Sequence, residues 1–443
     1  VTRLRIPITL VFTLAGWICF SPVRAADSLS EPLPSPLTLQ QALKLADGMH
    51  PDRELADATL QRAQAEQSGV DASDDLQFGF EAALKVVNPS YNAVDQSSND
   101  SWAKLKLSKR LYDFGRTDSA LAAADAARRS EEWNLLDVRQ QRRLEVMARF
   151  FDVLLADLEY ARENEAMSIA FVRLDKARSR SELGGISDLE LLRLEDLFQK
   201  VRRRTISSQN KQRITRSRLA ISLNRPDDLP ADLVSPDLPD RLVPESVEAL
   251  TQLIIDSNPR LKSLRAQMDA AEQQMRAARA GDNPIIRGEV EAATYNRELG
   301  GRNPLSAALV LEVPLFLGNR VGAEVALERA RLRERRAELA VLELDLRQSA
   351  LELWLELDRL RVRREELVVT GDYRDLSLDR SRTLYDLEVS TDLGDSMVRI
   401  SDWRLQQAET DFEIALAHAR LDALAGVLLD EFDITVGSKG EGK

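Results

Sequence analysis

Sulfur and imidazole chemistry have almost no foothold in this chain. Cys19 is its one cysteine, so stability must come from packing rather than from an internal disulfide. The two histidines, His50 and His418, lie far apart, and no His/Cys/Asp cluster has metal-ligand spacing. There is no phosphate-cradling glycine loop and no nucleophile motif. No enzyme activity, metal or cofactor is therefore assigned. Net positive charge is missing as well: the formal charge is −12, which argues against nucleic acid as a partner. Beyond residue 25 no stretch has the ~18 uninterrupted apolar residues of a membrane helix. A membrane portion would have to be built from strands.

The first apolar run is of another kind. Arg3 and Arg5 precede Ile6 to Phe20, and Val23-Arg24-Ala25 supplies small residues where a signal peptidase would cut. Residues 1–25 are expected to be an export signal. Removing them takes away Arg3, Arg5 and Arg24 but no acid, moving the charge from −12 to −15, and leaves no thiol.

What the chain does contain is a duplication. "LYDFGR" (111–116) recurs as "LFLGNR" (315–320), each closing an alternating stretch and opening a long helical one. "HPDRELADATLQRAQAEQ" (50–67) is echoed by "NPRLKSLRAQMDAAEQQ" (258–274), and "LGGISDLELL" (183–192) by "LEVSTDLGDS" (387–396). These matches predict a first unit over 26–223 and a second over 247–429. Between them lies a linker, 224–246, whose five prolines forbid a continuous helix; a tail, 430–443, follows.

Each unit reads helix, strand, strand, long helix, helix. In the first, Thr38 and Gln41 form a capping box for a short helix ending before Pro51, and a second helix covers 52–73. Strict alternation predicts strands over 76–87 and 101–112, with counterparts over 285–295 and 305–316. Pro314 fits only near a strand end. Long helices are expected over 117–180 and 320–384, the first ~95 Å in length. The 3-4-3-4 series Leu144, Met147, Phe151, Leu154, Leu158 and its counterpart Leu346, Ala350, Leu353, Leu357, Leu360 read as coiled-coil seams. Leu344, Leu351 and Leu355 call for a second seam.

Four strands cannot close on themselves, and an open sheet edge in lipid leaves backbone groups unsatisfied. Two chains give eight strands, a barrel filled by side chains, whereas three give twelve and room for a lumen. Glu81, Lys104 and Lys106 should then face the lumen. Trp102 reads either as an interfacial aromatic or as ordinary packing. The change of period at Tyr112–Arg116 marks where the chain leaves a lipid-facing barrel and continues as the wall of a tube. A different class also fits the pattern: a periplasmic coiled-coil scaffold or adaptor whose alternating segments form a soluble sheet without a pore.

The duplicated "NP…L…A…AE" opening, the strand-to-helix motif at Tyr112, Gly115, Arg116 and at Phe316, Gly318, Arg320, and the "LGGIS" break together resemble the TolC family of bacterial outer-membrane efflux proteins. The resemblance implies a mostly α-helical chain with a transmembrane β portion. Its homotrimer would form a twelve-stranded β-barrel continued by a long α-helical barrel, in outer-membrane lipid and reaching into the periplasm. It implies a mixed belt contributed by the linker and the C-terminal tail. It further implies a passive exit duct of a tripartite efflux or type I secretion system, working with a periplasmic adaptor (membrane fusion protein) and an inner-membrane pump of RND or ABC type. Counting back from Gly426, the resemblance places the acids that constrict the periplasmic entrance at Asp392 and Asp395, with Glu388 and Asp188 beside them. Thr391-Asp392 also reads as an ordinary helix start. Glu388 stands where family members can carry an arginine latch. The helix turns, Leu183, Gly184, Gly185, Ile186, Ser187 and Leu387, Val389, Ser390, Thr391, would be the tips that dock the adaptor.

Overall fold

The computed structural model describes residues 32–429 except 243, 245, 298–301 and 388–392. The expected export signal and the tail 430–443 lie outside the described residues, as do Glu388, Val389, Ser390, Thr391 and Asp392. The first repeat comprises α1 (Leu39–Ala46), α2 (Pro51–Asp71), β1 (Gln77–Ala83), β2 (Trp102–Tyr112), α3 (Arg116–Glu182) and α4 (Asp188–Ser222). The second comprises α5 (Val247–Ser257), α6 (Pro259–Arg279), β3 (Ile285–Tyr295), β4 (Leu305–Glu312), α7 (Arg320–Asp386) and α8 (Leu393–Ala425). Each repeat thus opens on two short helices.

Local chemistry sets these boundaries. The Thr38–Gln41 capping box starts α1. Pro51 and Pro259 occupy the first turn of α2 and α6, where a missing N–H costs nothing. The residue before each caps the helix: His50 Nδ1 accepts from Asp52 N at 3.2 Å, and Asn258 Oδ1 accepts from Leu261 N at 3.1 Å. β1 is shorter than its alternation, ending at Ala83, because beyond it the hairpin arm pairs irregularly, through Lys85, Val87 and a Val86–Asn99 bridge. β4 likewise stops at Glu312, two residues ahead of Pro314, which has no N–H to donate to a ladder.

The four strands form one antiparallel sheet in chain order, with β2 and β3 joining the repeats at its centre. The helices continue that order. α2 and α4 both pack along α3, and α6 and α8 both lie between α3 and α7. At 67 residues each, α3 and α7 are ~100 Å rods. The wall is one helix thick.

Its core sits at mid-height, where a belt crosses the rods. Val146, Met147, Phe150, Phe151 and Val153 of α3 pack with α1, Leu37, Phe412 and Leu428, and Phe151 stacks on Phe412 with ring centroids 4.4 Å apart. Leu144 and Leu154 pack at the margin of this cluster. In the second repeat Leu346, Ala350 and Leu357 pack with α5, Ala417 and Leu421. Leu144, Met147, Phe151 and Leu154 belong to the first predicted seam, and Leu346, Ala350 and Leu357 to the second; Val146, Phe150 and Val153 lie outside both. Leu344, Leu351 and Leu355 are exposed in the single chain.

The 224–246 segment is extended and tied down rather than loose. Leu233 bridges Leu37, Arg241 forks onto Asp422 at 2.6 and 3.0 Å, Arg364 reaches Asp240 at 2.7 Å, and the Trp354 indole donates to the Pro244 carbonyl at 2.8 Å. Burial and then Arg241 push the His418 imidazole below its ordinary pKa, while burial raises that of Asp411 against the pull of Arg364. Arg143 joins α1 to the end of the described chain, binding Asp47 and the Leu429 carbonyl.

Candidate functional site

The register of the sheet sorts its side chains by face, since residues opposite one another point the same way. One face carries Gly79, Glu81, Lys104, Lys106, Ser108, Glu289 and Glu291. Lys104 pairs with Glu291 at 3.0 Å and Lys106 with Glu289 at 3.2 Å, and Arg287 pairs with Glu312. The other face carries Phe78, Phe80, Leu105, Leu107, Val290, Leu309 and Leu311. Phe80 is 66% and Leu309 72% exposed. A sheet with its ions paired on one face and, on the other, hydrocarbon broken by a single charge, Lys109, near the helix end of β2 is built for lipid outside and water inside. Trp102 sits on the polar face opposite Tyr295, with the Lys104 ammonium 4.9 Å from its ring, so it does not belong to the lipid-facing side.

β1 and β4 are the free edges of this sheet among the described residues, and α2/α4 and α7 are the matching edges of the helical wall. Both helical edges are apolar. Val341, Leu344, Leu351, Leu355, Val362, Val369 and Leu376 are exposed at spacings of 3, 4 and 7 along α7, and Leu192, Ile206, Ile214 and Ile221 along α4. Such stripes call for another wall on each side.

At the strand-to-helix turn Asp113 takes the role of helix cap from two residues outside the formal N-cap, Gly115. Its carboxylate accepts from Arg116 N at 3.1 Å, Thr117 N at 2.9 Å and Thr117 Oγ1 at 2.5 Å. The chain turns here through left-handed backbone at Phe114 (φ 54°) and Gly115 (φ 87°), and at the second copy through Gly318 (φ 64°). Tyr112 packs edge-on against Phe114, while Arg116, Phe316 and Arg320 are exposed. The first turn hands strand to rod through three residues, 113–115, and the second through seven, 313–319.

At the far end α3 closes on Gly184 (φ 70°), and Gly185 N donates to the Arg180 carbonyl at 2.8 Å. Ser187 caps α4 through Glu190 N. Asp188 is exposed at the first position of that helix, and Leu183 and Leu387 are exposed at the two turns. Asp395, in the first turn of α8, pairs with Arg173 of α3 at 2.8 Å. Sequence reasoning missed Arg173 because nothing local marks it. Beside this pair Gly394 lets α8 approach α3 closely: a Cβ there would stand 2.9 Å from Ile169. Higher up Gly371 of α7 lies under the ring of Trp403 of α8, whose N–H donates to the Leu367 carbonyl at 2.8 Å.

Residues 250–427 match the family model described as "Outer membrane efflux protein". That match spans the second repeat, where the chain is similar to outer membrane efflux proteins. Its relatives include "Outer membrane efflux protein BepC" from Brucella suis, 22% identical over 346 residues, which are 75% of this chain and 74% of that protein. Among solved structures, the CmeC outer membrane channel of Campylobacter jejuni has a TM-score of 0.74 at 13% identity, over 90% of this chain and 88% of that one. The open-state MtrE outer membrane channel of Neisseria gonorrhoeae has a TM-score of 0.66 at 17% identity, over 88% and 89%. An outer-membrane efflux protein of this fold places its sheet in the outer membrane and extends its rods into the periplasm. Among the described residues no helix is long and apolar enough to cross a membrane.

Proposed function

We propose that this outer-membrane efflux protein is a passive exit duct, a homotrimer whose four-stranded sheets and helical walls close edge to edge around one pore. The sheet carries this reading: two unpaired edges, an apolar face and an ion-paired face fit a share of a closed barrel, and three chains supply the twelve strands that leave room for a lumen. A soluble scaffold would have to cover Phe78, Phe80, Leu309 and Leu311, which are exposed. Transport energy has to come from an inner-membrane pump, of RND or ABC type, reached through a periplasmic adaptor. The exposed turns around Leu183–Ser187 and Leu387 are the proposed docking tips. Purified trimer in a planar bilayer should give cation-favouring single-channel conductance; a preparation that conducts nothing overturns the duct.

The entrance is proposed to lie at Asp395 and Asp392. The Arg173–Asp395 pair, which ties α8 to α3 at that end, supports a narrow resting state, and repulsion among three copies of the acids favours bound cations. Replacing both by alanine should raise conductance and weaken block by multivalent cations. Unchanged conductance places the constriction elsewhere.

A further inference from the structure

The belt that fastens the wall also defines its opposite face. It is built on Val146 and Phe150 of α3, on Trp354 of α7 and on His418 and Asp422 of α8. A step of two residues turns ~200° around a helix, so positions two away from these turn from the belt on all three rods, the leucines among them still seated at the margins of the two cores. Those positions, Leu144 and Ala148, Glu352 and Glu356, and Leu416, Arg420 and Leu424, line a single groove of ≈ 640 Å³ running across α8 from α3 to α7. In the ring proposed above this face turns inward, because three copies of the belt would fill the interior.

The floor of the groove is apolar, with Leu144, Leu353, Leu416 and Leu424. Its rim is charged but unevenly compensated. Glu145 is taken by Arg142 at 2.5 Å and Arg149 by Asp152 at 3.3 Å. Among the described residues Glu352 accepts only from Gln348, and Glu356 has no hydrogen-bond or ion-pair partner. Two carboxylates one turn apart on the same helix face repel each other unless a cation sits between them. Arg420, with no partner among the described residues, offsets one of the two, leaving one negative charge over a hydrocarbon floor.

We infer that this groove is a cargo-binding site on the lumen wall, one per chain, for amphipathic organic monocations: the hydrophobic body lies on the leucines and the charge between Glu352 and Glu356. The inference rests on the duct reading, since it needs the belt-free face to be the lumen. It makes the duct more than an inert pipe, with cargo held at belt height on its way out.

Tetraphenylphosphonium and tetraphenylborate, equal in shape and opposite in charge, test it. Calorimetry on the detergent-solubilised trimer should show about one tetraphenylphosphonium per chain and no tetraphenylborate binding. Glu352→Gln with Glu356→Gln should weaken binding about tenfold, and Arg420→Gln should tighten it. Conductance of the same preparations in potassium chloride reports separately on the duct. A trimer that conducts but binds the two ions equally, or binds tetraphenylphosphonium unaltered by these substitutions, overturns the groove and leaves the duct standing. A preparation without conductance overturns the duct itself.

Discussion

Phe80→Arg should nearly abolish trimers in the outer-membrane fraction, while Ser108→Arg, in the same sheet and equally long and charged, should leave them in place. The two positions differ by face. Phe80 lies mid-strand opposite Leu105, on the side shared with Leu309 and Leu311, so an arginine there enters hydrocarbon at a cost of ~2–4 kcal/mol near the midplane. The cost is repeated in every subunit of a shared barrel, which is why a single substitution acts with the force of three. Ser108 lies opposite Glu289 on the ion-paired face, where a new guanidinium meets a carboxylate and water. Membrane fractionation and native gels read both outcomes. Equal tolerance of the two arginines would mean that the Phe80 face does not meet lipid.

Much of this layout is legible in the sequence because the period of a pattern is a local property. Alternation over 285–295 coincides with β3, and Thr38 with Gln41 marks α1. The expected grouping of Glu81, Lys104 and Lys106 on one face agrees with the register. Period alone does not fix where a ladder ends: β1 stops at Ala83 although its alternation runs on to Val87, because irregular pairing keeps the same side-chain rhythm. Contacts between distant helices leave still less trace. Arg173 is one of many arginines on α3 until α8 brings Asp395 to it, 222 positions along the chain. Glycines are misleading for the same reason. Gly115 and Gly318 announce themselves by standing just ahead of a long helix, whereas Gly371 sits inside one, where it looks like a weakness of ~1 kcal/mol against alanine.

That weakness has a use, and Gly371→Ala should therefore destabilise the protein, against its helix propensity. A Cβ at 371 would stand 2.5 Å from Cζ2 and 2.8 Å from Cε2 of Trp403, closer than any real contact, and the indole is rigid. The ring would have to lift, breaking its bond to the Leu367 carbonyl and opening the seam between α7 and α8. Overpacking of this kind costs about 1–3 kcal/mol, added to a buried hydrogen bond of about 1 kcal/mol, so a net loss of ~1–3 kcal/mol is expected after a propensity gain of ~1 kcal/mol. The position of the joint makes it more than a stability device. Above it α7 and α8 are tied by Arg363–Glu409 and Arg364–Asp411 pairs and by the belt core. Below it α8 is tied to α3 instead, through Arg162–Asp402 at 2.7 Å and Arg173–Asp395 at 2.8 Å, and to α7, among the described residues, by a single side-chain hydrogen bond, Ser381–Ser396. Trp403 is thus the last strong grip of α7 on α8 before the entrance. Trp403→Leu in the Gly371→Ala background should restore part of the lost stability, because the smaller side chain makes room for the Cβ without recovering the hydrogen bond. Thermal unfolding of the four proteins of this double-mutant cycle measures the coupling, and purely additive losses would mean that the two residues do not meet.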